Sequence, residues 1–233
     1  MVLPMLVLSI GFVIAGQIAV KGVRSANDTL TVTGASTEQI ISDYADWNIE
    51  VTGTGSSQQL AYRDLQPTLQ QSLDFLKNQG IKDDELSLEV LNLSSRENRN
   101  RVTSQLISTT WFARQVIRIA SEDVNKISDV SNRISELVGQ GVPLTIRPPA
   151  YTYTKLAEKR VDMLAKATAD ARKRALAIAR EAGSGIGAIT NADTGTFQIT
   201  VPNSTEMSNF GSYNTSTIQK DITAVMGVTF RVK

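Results

Sequence analysis

An α+β fold is what this sequence predicts, on three observations. Segments that alternate apolar and polar residues, enriched in β-branched side chains, are interleaved with segments whose apolar residues recur every three or four positions. Taken in order, residues 44–153 spell β-α-β-β-α-β, the split pattern of ferredoxin-like sheets, with both helices on one face of a mainly antiparallel sheet. A long Ala-rich helix and two closing antiparallel strands then complete the chain.

The chain opens on a different kind of segment. Residues 2–20 carry no charge, with Pro4, Ser9 and Gln17 as their less apolar members. At roughly 1.5 Å per residue such a run covers close to the ~30 Å hydrocarbon core, whereas the apolar part of a cleaved signal usually has about 7–15 residues. The expectation is a transmembrane anchor within residues 1–24 and one folded domain over 25–233. The competing reading is cleavage near Ala15 or Ala19, which would leave a secreted domain. Gly11, Ala15 and Ala19 recur every four residues, a spacing that would let a second membrane helix approach closely. Lys21 and Arg24 follow the run and no Lys or Arg precedes it, so the positive-inside rule taken alone places the domain in the cytoplasm.

Alternation over 29–33 and 44–54 predicts the first strands, punctuated by Gly34, Gly53 and Gly55. Leu60, Leu65, Leu69, Leu73 and Leu76 predict an amphipathic helix that Gly80 stops, with Pro67 as a kink or a later start. Strands are expected over 86–93 and 105–120, joined by a polar hairpin tip at 94–104 that carries Arg96, Arg99 and Arg101. Ser121 caps a helix in which Val124, Ile127, Val130, Ile134 and Leu137 share a face, and a strand at 142–153 is broken by Pro148-Pro149. The long helix is predicted over 155–182, where Ala167, Ala171 and Ala175 form a small-residue stripe suited to packing and assembly against a sheet or another helix. Strands at 186–201 and 218–232 flank an Asn/Ser/Thr-rich loop, 202–217, whose aromatic residues Phe210 and Tyr213 make it a candidate binding loop.

Composition restricts the chemistry. The chain has no cysteine and no histidine, which removes Cys–His and Ser–His–Asp nucleophiles, Cys/His zinc sites and thiol redox chemistry. A net charge of +1 gives no long-range attraction for a polyanion, so nucleic acid is not an expected partner. Gly183-Ser184-Gly185-Ile186-Gly187 closes a helix and opens a strand, the reverse of a phosphate-binding loop, and reads as a helix stop. Asp83-Asp84-Glu85 reads as a solvated turn and not a cation site, and Arg172-Lys173-Arg174 with Arg180 as a solvated helix face. No catalytic, metal or cofactor site and no small-molecule substrate is suggested.

Several stretches together resemble the SIMPL domain family of bacterial periplasmic, secreted and membrane-anchored proteins. They are Leu30-Thr31-Val32-Thr33-Gly34, the run from Asp46 to Gly55, Phe75-Leu76-Lys77-Asn78-Gln79-Gly80-Ile81, and Ala169-Asp170-Ala171-Arg172-Lys173-Arg174-Ala175 ahead of Ala182-Gly183. The resemblance spans 29–233 and implies an extracytoplasmic domain, against the bias of Lys21 and Arg24. It carries over no catalytic residues, and implies assembly or envelope-stress roles more than enzymatic ones. The functional expectation is a non-enzymatic envelope protein, held at the cell membrane by its N-terminal helix, that self-assembles into a homo-oligomer. The alternative is a ligand- or protein-binding module acting through 202–217.

Overall fold

A computed structural model describes residues 28–204 and 212–233. The apolar run with Gly11, Ala15 and Ala19, the charges Lys21 and Arg24, and Phe210 lie outside the described residues. Among the described residues no helix is long and apolar enough to cross a membrane. The fold is α+β, and its contacts divide into two compact units where the sequence suggests one domain.

The first unit comprises Ile40–Thr154 and Asn214–Lys220. Its strands are β2 (Tyr44–Gly55), β3 (Leu86–Leu88), β4 (Asn92–Arg99), β5 (Leu106–Ser121), β6 (Leu144–Ile146) and β7 (Ala150–Thr152). β5 and β2 are central, with β3 and β4 pairing β5 on one side and β6 and β7 pairing β2 on the other, all antiparallel. With helix α1 (Gln58–Asn78) after β2 and helices α2 (Val124–Arg133) and α3 (Ser135–Gly139) after β5, the split β-α-β-β-α-β order is realised.

The strict alternation of β2 sends Ala45, Trp47, Ile49 and Val51 to one face, where they meet Ala113, Ile117 and Ile119 of β5. Ala61, Leu65, Leu69 and Leu76 of α1 and Val124, Ile127 and Val130 of α2 cover that face in a single cluster. Burying side chains of this size contributes roughly 1.5–3 kcal/mol each. Trp47 keeps its one polar atom satisfied by donating from Nε1 to the Arg147 carbonyl at 2.7 Å. Pro67 sits inside α1, which starts from Ser57, whose hydroxyl accepts the Leu60 N–H at 3.2 Å.

Several boundaries differ from expectation. The strand expected over 86–93 is two short strands, and β4 runs through Arg96 to Arg99, so the hairpin turn is confined to 100–105. The helix expected from Ser121 starts at Val124 with Asp123 as its cap, and breaks at Ile134. Periodicity sees the apolar face of both pieces as one because Val130, Ile134 and Leu137 are all buried.

The second unit comprises the described parts of Met1–Gln39, Lys155–Tyr213 and Asp221–Lys233. Its sheet has the order β1 (Thr29–Ile41), β10 (Gln219–Val232), β8 (Ile186–Thr200), β9 (Ser212–Tyr213). β10 and β8 are antiparallel and β9 is parallel to β8. Thr31 bonds Thr229 and Thr37 bonds Thr223, so β1 runs antiparallel to β10.

Helix α4 (Leu156–Glu181) crosses this sheet, burying Met163, Ala167, Ala171, Ala175 and Ala179. The three stripe alanines form one core with Val32, Met226, Val228 and Phe230, so they pack on the sheet inside the unit. Gly34 explains why β1 is longer than the 29–33 expected. It lies mid-strand, and a Cβ there would stand 2.1 Å from the Ala167 carbonyl oxygen and 2.4 Å from the Ala171 nitrogen. The glycine permits the close approach of helix to strand and does not end the strand.

Candidate functional site

The feature that the two cores do not account for is an arm at the end of the first unit's sheet. β2 pairs β5 only as far as Gly55 opposite Trp111, while β4 stays paired with β5 out to Arg99 opposite Leu106. Residues 106–110 therefore continue beyond β2 with β4 on one side and, among the described residues, no strand on the other. Five residues at ~3.3 Å each make an unpaired edge of roughly 17 Å.

The arm is held in shape from base to tip. At the base, Arg114 donates to the Ser94 hydroxyl at 3.1 Å, and its guanidinium lies 5.1 Å from the Phe112 ring centroid, with Arg96 at 5.9 Å. At the tip, the Asn100 carboxamide accepts the Val102 and Thr103 N–H groups at 2.9 and 3.1 Å, and Ser104 takes a positive φ of 56° to close the turn. Arg99 pairs with Glu97 at 2.7 Å and donates to the Ser104 carbonyl at 3.2 Å. On this ordered frame Val102 is 92% exposed and Ile107 61%, with Leu93 and Leu106 also exposed.

The two edges of the arm differ in sequence. β4 carries Arg96, Glu97 and Arg99, the charges that ordinarily protect a strand edge, whereas Leu106-Ile107-Ser108-Thr109-Thr110 contains no charge, proline or glycine. An unprotected edge of β-branched and apolar residues can accept another strand through its backbone N–H and C=O groups.

A cleft of about 490 Å³ lies at the opposite end of β5, lined by Tyr44, Lys82, Asp84, Glu85, Ser121 and Lys126 among others. Glu85 accepts the Lys82 N–H at 2.8 Å, the Ser121 hydroxyl, and the Lys126 ammonium at 2.9 Å. Burial opposes ionisation of Glu85, but these three donors outweigh it and hold its carboxyl at about 2. A carboxylate held that low is a poor proton acceptor, and the buried Ser121 hydroxyl is tied up as a donor to it. The trio clamps the turn at Asp83–Glu85 onto the start of α2. Asp83, for its part, pairs with Lys77 at 2.6 Å.

Lys220, near the start of β10, is fully buried, and its ammonium donates to the Thr217 carbonyl. Burial pushes it down to about 8. Its strand neighbours toward the C-terminus continue the buried alternation as Ile222, Ala224 and Met226, so the lysine occupies a position of core type.

The sequence-derived site residues that are described are not gathered into one place. Ala167, Ala171 and Ala175 are internal to the second unit, and Tyr213 is an exposed residue of the short strand β9 and not part of an irregular loop. Sequence pattern presents the arm as a polar hairpin tip, because its arginines stand out and the uncharged segment opposite them looks like any other strand. A signal was present: β5 outruns β2 by the five residues 106–110.

No curated protein matches the chain. The family model of SIMPL, described as a protein of unknown function (DUF541), matches residues 30–230, which takes in both units, the arm and the long helix, and the chain belongs to the SIMPL family.

Proposed function

We propose that this protein is a non-enzymatic, membrane-anchored envelope protein whose domain lies outside the cytoplasm and self-assembles into a homo-oligomer. The observation that carries this reading is the bare edge at 106–110, a segment fixed in extended form and lacking the charges that protect its neighbour β4. A second copy supplies the matching strand, and the exposed Ile107, Leu106 and Val102 supply apolar area to cover. The absence of His and Cys, and the clamped state of Glu85 and Ser121, support a role without catalysis.

The test is the mass of the full chain in detergent by light scattering and sedimentation, for wild type and for Ile107→Lys. Wild type is expected as a discrete oligomer. Ile107→Lys places a charge on an exposed edge position, and is expected to give monomers with a stability change within about 0.5 kcal/mol. Monomeric wild type, or an Ile107→Lys oligomer of unchanged mass, overturns the reading. The alternative, a binding module acting through 202–217, is favoured by the exposure of Tyr213. It would show as a monomeric wild type whose Tyr213→Ala variant no longer retains a partner.

A further inference from the structure

The long helix carries its cations unevenly. On its flanks they are engaged: Arg174 pairs with Asp170 at 2.8 Å, Lys166 pairs with Asp162 at 2.8 Å and with Glu38, Lys159 pairs with Glu38, and Arg160 lies 4.9 Å from the Phe197 ring centroid. Glu38 is lowered by those two lysines, which bond its carboxylate. On the outer face of the C-terminal half, Arg172, Lys173 and Arg180 enter none of the ion pairs of the described residues. They frame a shallow groove with Ala169, Leu176 and Ala177, at spacings of three and four that put all six on one side of the helix. The acids of this stretch of helix are Glu181, next to Arg180, and Asp170, which is bonded by the Ala35 N–H and Arg174 and is lowered by both and in part by the charge of Lys173. A face that combines exposed small apolar residues with unneutralised Lys and Arg has the make-up of a membrane-surface helix.

The course of the helix over β1 says where that face is. The Ala35 N–H donates to Asp170 at 3.0 Å, Ser36 reaches Met163 at 3.8 Å, and Glu38 holds Lys159, so α4 runs back as β1 runs forward. Residues 172–180 consequently overlie the start of β1, the end at which the chain enters the unit. From Val20, the last residue of the apolar run, to Thr29, the first of β1, is nine residues, which reach no more than ~30 Å fully extended. Lys21 and Arg24 lie in that stretch and add positive charge beside the membrane.

We infer that the outer face of α4 around Arg172, Lys173 and Arg180 docks on the anionic headgroups of the membrane that holds the N-terminal run, laying the second unit against the bilayer. The inference rests on the anchor reading. The tether keeps this end within a few nanometres of the headgroups, and the three unpaired cations gain from anionic lipid what the paired ones already have from Asp and Glu. The apolar groove between them accepts the glycerol and upper acyl region.

The chain has no cysteine, so Ala169→Cys in the full-length protein gives a single thiol for an environment-sensitive fluorophore. The labelled protein is reconstituted into vesicles of phosphatidylcholine alone and of phosphatidylcholine with phosphatidylglycerol. Expected is a blue shift in the anionic vesicles, with quenching by nitroxide lipid at least about twofold above the neutral ones. It should fall back in high salt, where surface potentials are screened within ~3 Å, and vanish in Arg172→Gln/Lys173→Gln/Arg180→Gln. Equal quenching in both lipids, or quenching in the anionic vesicles that the triple variant leaves unchanged, overturns the inference. Flotation separates it from the anchor reading: a chain that floats only with anionic vesicles keeps the docking face and loses the anchor, and one that floats with neither loses both.

Discussion

The two units solve the same packing problem with different side chains. In each, a helix crosses a sheet over a glycine whose missing side chain allows the contact: Gly53 lies beneath Ala61 and Leu65 of α1, and Gly34 beneath Ala167 and Ala171 of α4, with would-be Cβ contacts of 2.4 and 2.1 Å. Around Gly53 the rest of the interface is large, with Trp47, Ile49, Leu65, Ile117 and Leu76 all fully buried. Around Gly34 the helix offers four alanines and one methionine, and the bulk comes from Met226, Val228 and Phe230 of the sheet. The first interface holds by area, at roughly 25 cal/mol per Å² of apolar surface removed from water. The second holds by proximity. It has less area to lose and less room for additional atoms.

The most severe way to break this comparison is Gly34→Ala. The added methyl would meet the backbone of α4 and no flexible side-chain end, so the helix must move, and the cost is expected at ~3 kcal/mol or above, the upper end for overpacking. The chain's two tryptophans, Trp47 and Trp111, are both in the first unit, whereas the 26-residue α4 is the largest single helical contributor in the second. Far-ultraviolet dichroism should therefore show an early transition in urea that tryptophan fluorescence does not report. Coincident transitions by the two probes would show that the units unfold as one block, and an unshifted melt would show that α4 does not sit this close to β1.

A second asymmetry is the buried charge. Lys220 is the one fully buried cation among the described residues, and it belongs to the first unit. The unfolded lysine keeps its proton up to about 10.5, and the folded one releases it near about 8, so between these values the unfolded chain binds more protons and stability rises with pH. Below 8 the full penalty of the buried ammonium applies, on the order of 3 kcal/mol. Lys220→Met keeps the shape without the charge, and is expected to be more stable than wild type at neutral pH by about that amount. The difference should close as pH rises from 8 to 10.5. Urea melts of both proteins across that range check it, and a constant difference would mean that the ammonium reaches water.

The elements that were legible in the sequence are those whose own periodicity dictates them. β2 alternates strictly and α1 repeats its leucines, so their positions and buried faces follow from residue spacing, with Leu60 the exception at 43% exposed. The long helix is placed within one residue at each end because Gly183 stops it with a φ of 71° and the alanine stripe runs unbroken. What stayed hidden depends on partners distant in sequence. Gly34 reads as punctuation until the helix 130 residues later is placed over it, and the split at Ile134 leaves no trace in an apolar face that continues through it. The arm is the clearest case. Its bare edge exists only because β2 stops at Gly55, and no property of 106–110 alone records where another strand ends.

The comparison can be sharpened most finely on the exposed and buried sides of one helix turn. Ala171 is fully buried against Gly34 and the sheet, and its neighbour Arg172 points away. Ala171→Leu adds three carbons to an interface that functions by proximity, and forces either a displaced helix or an eclipsed rotamer, for an expected loss of ~1–3 kcal/mol. Arg172→Ala removes an exposed side chain with no ion pair, and should change stability by no more than about 0.5 kcal/mol. Thermal melts of the two variants in detergent, where no anionic lipid is present, give the contrast directly. If Ala171→Leu melted like wild type, the second interface would be loose enough to absorb a leucine, and the division between holding by area and holding by proximity would fail. If Arg172→Ala were the damaging change instead, the face assigned to solvent and headgroups would be part of the core.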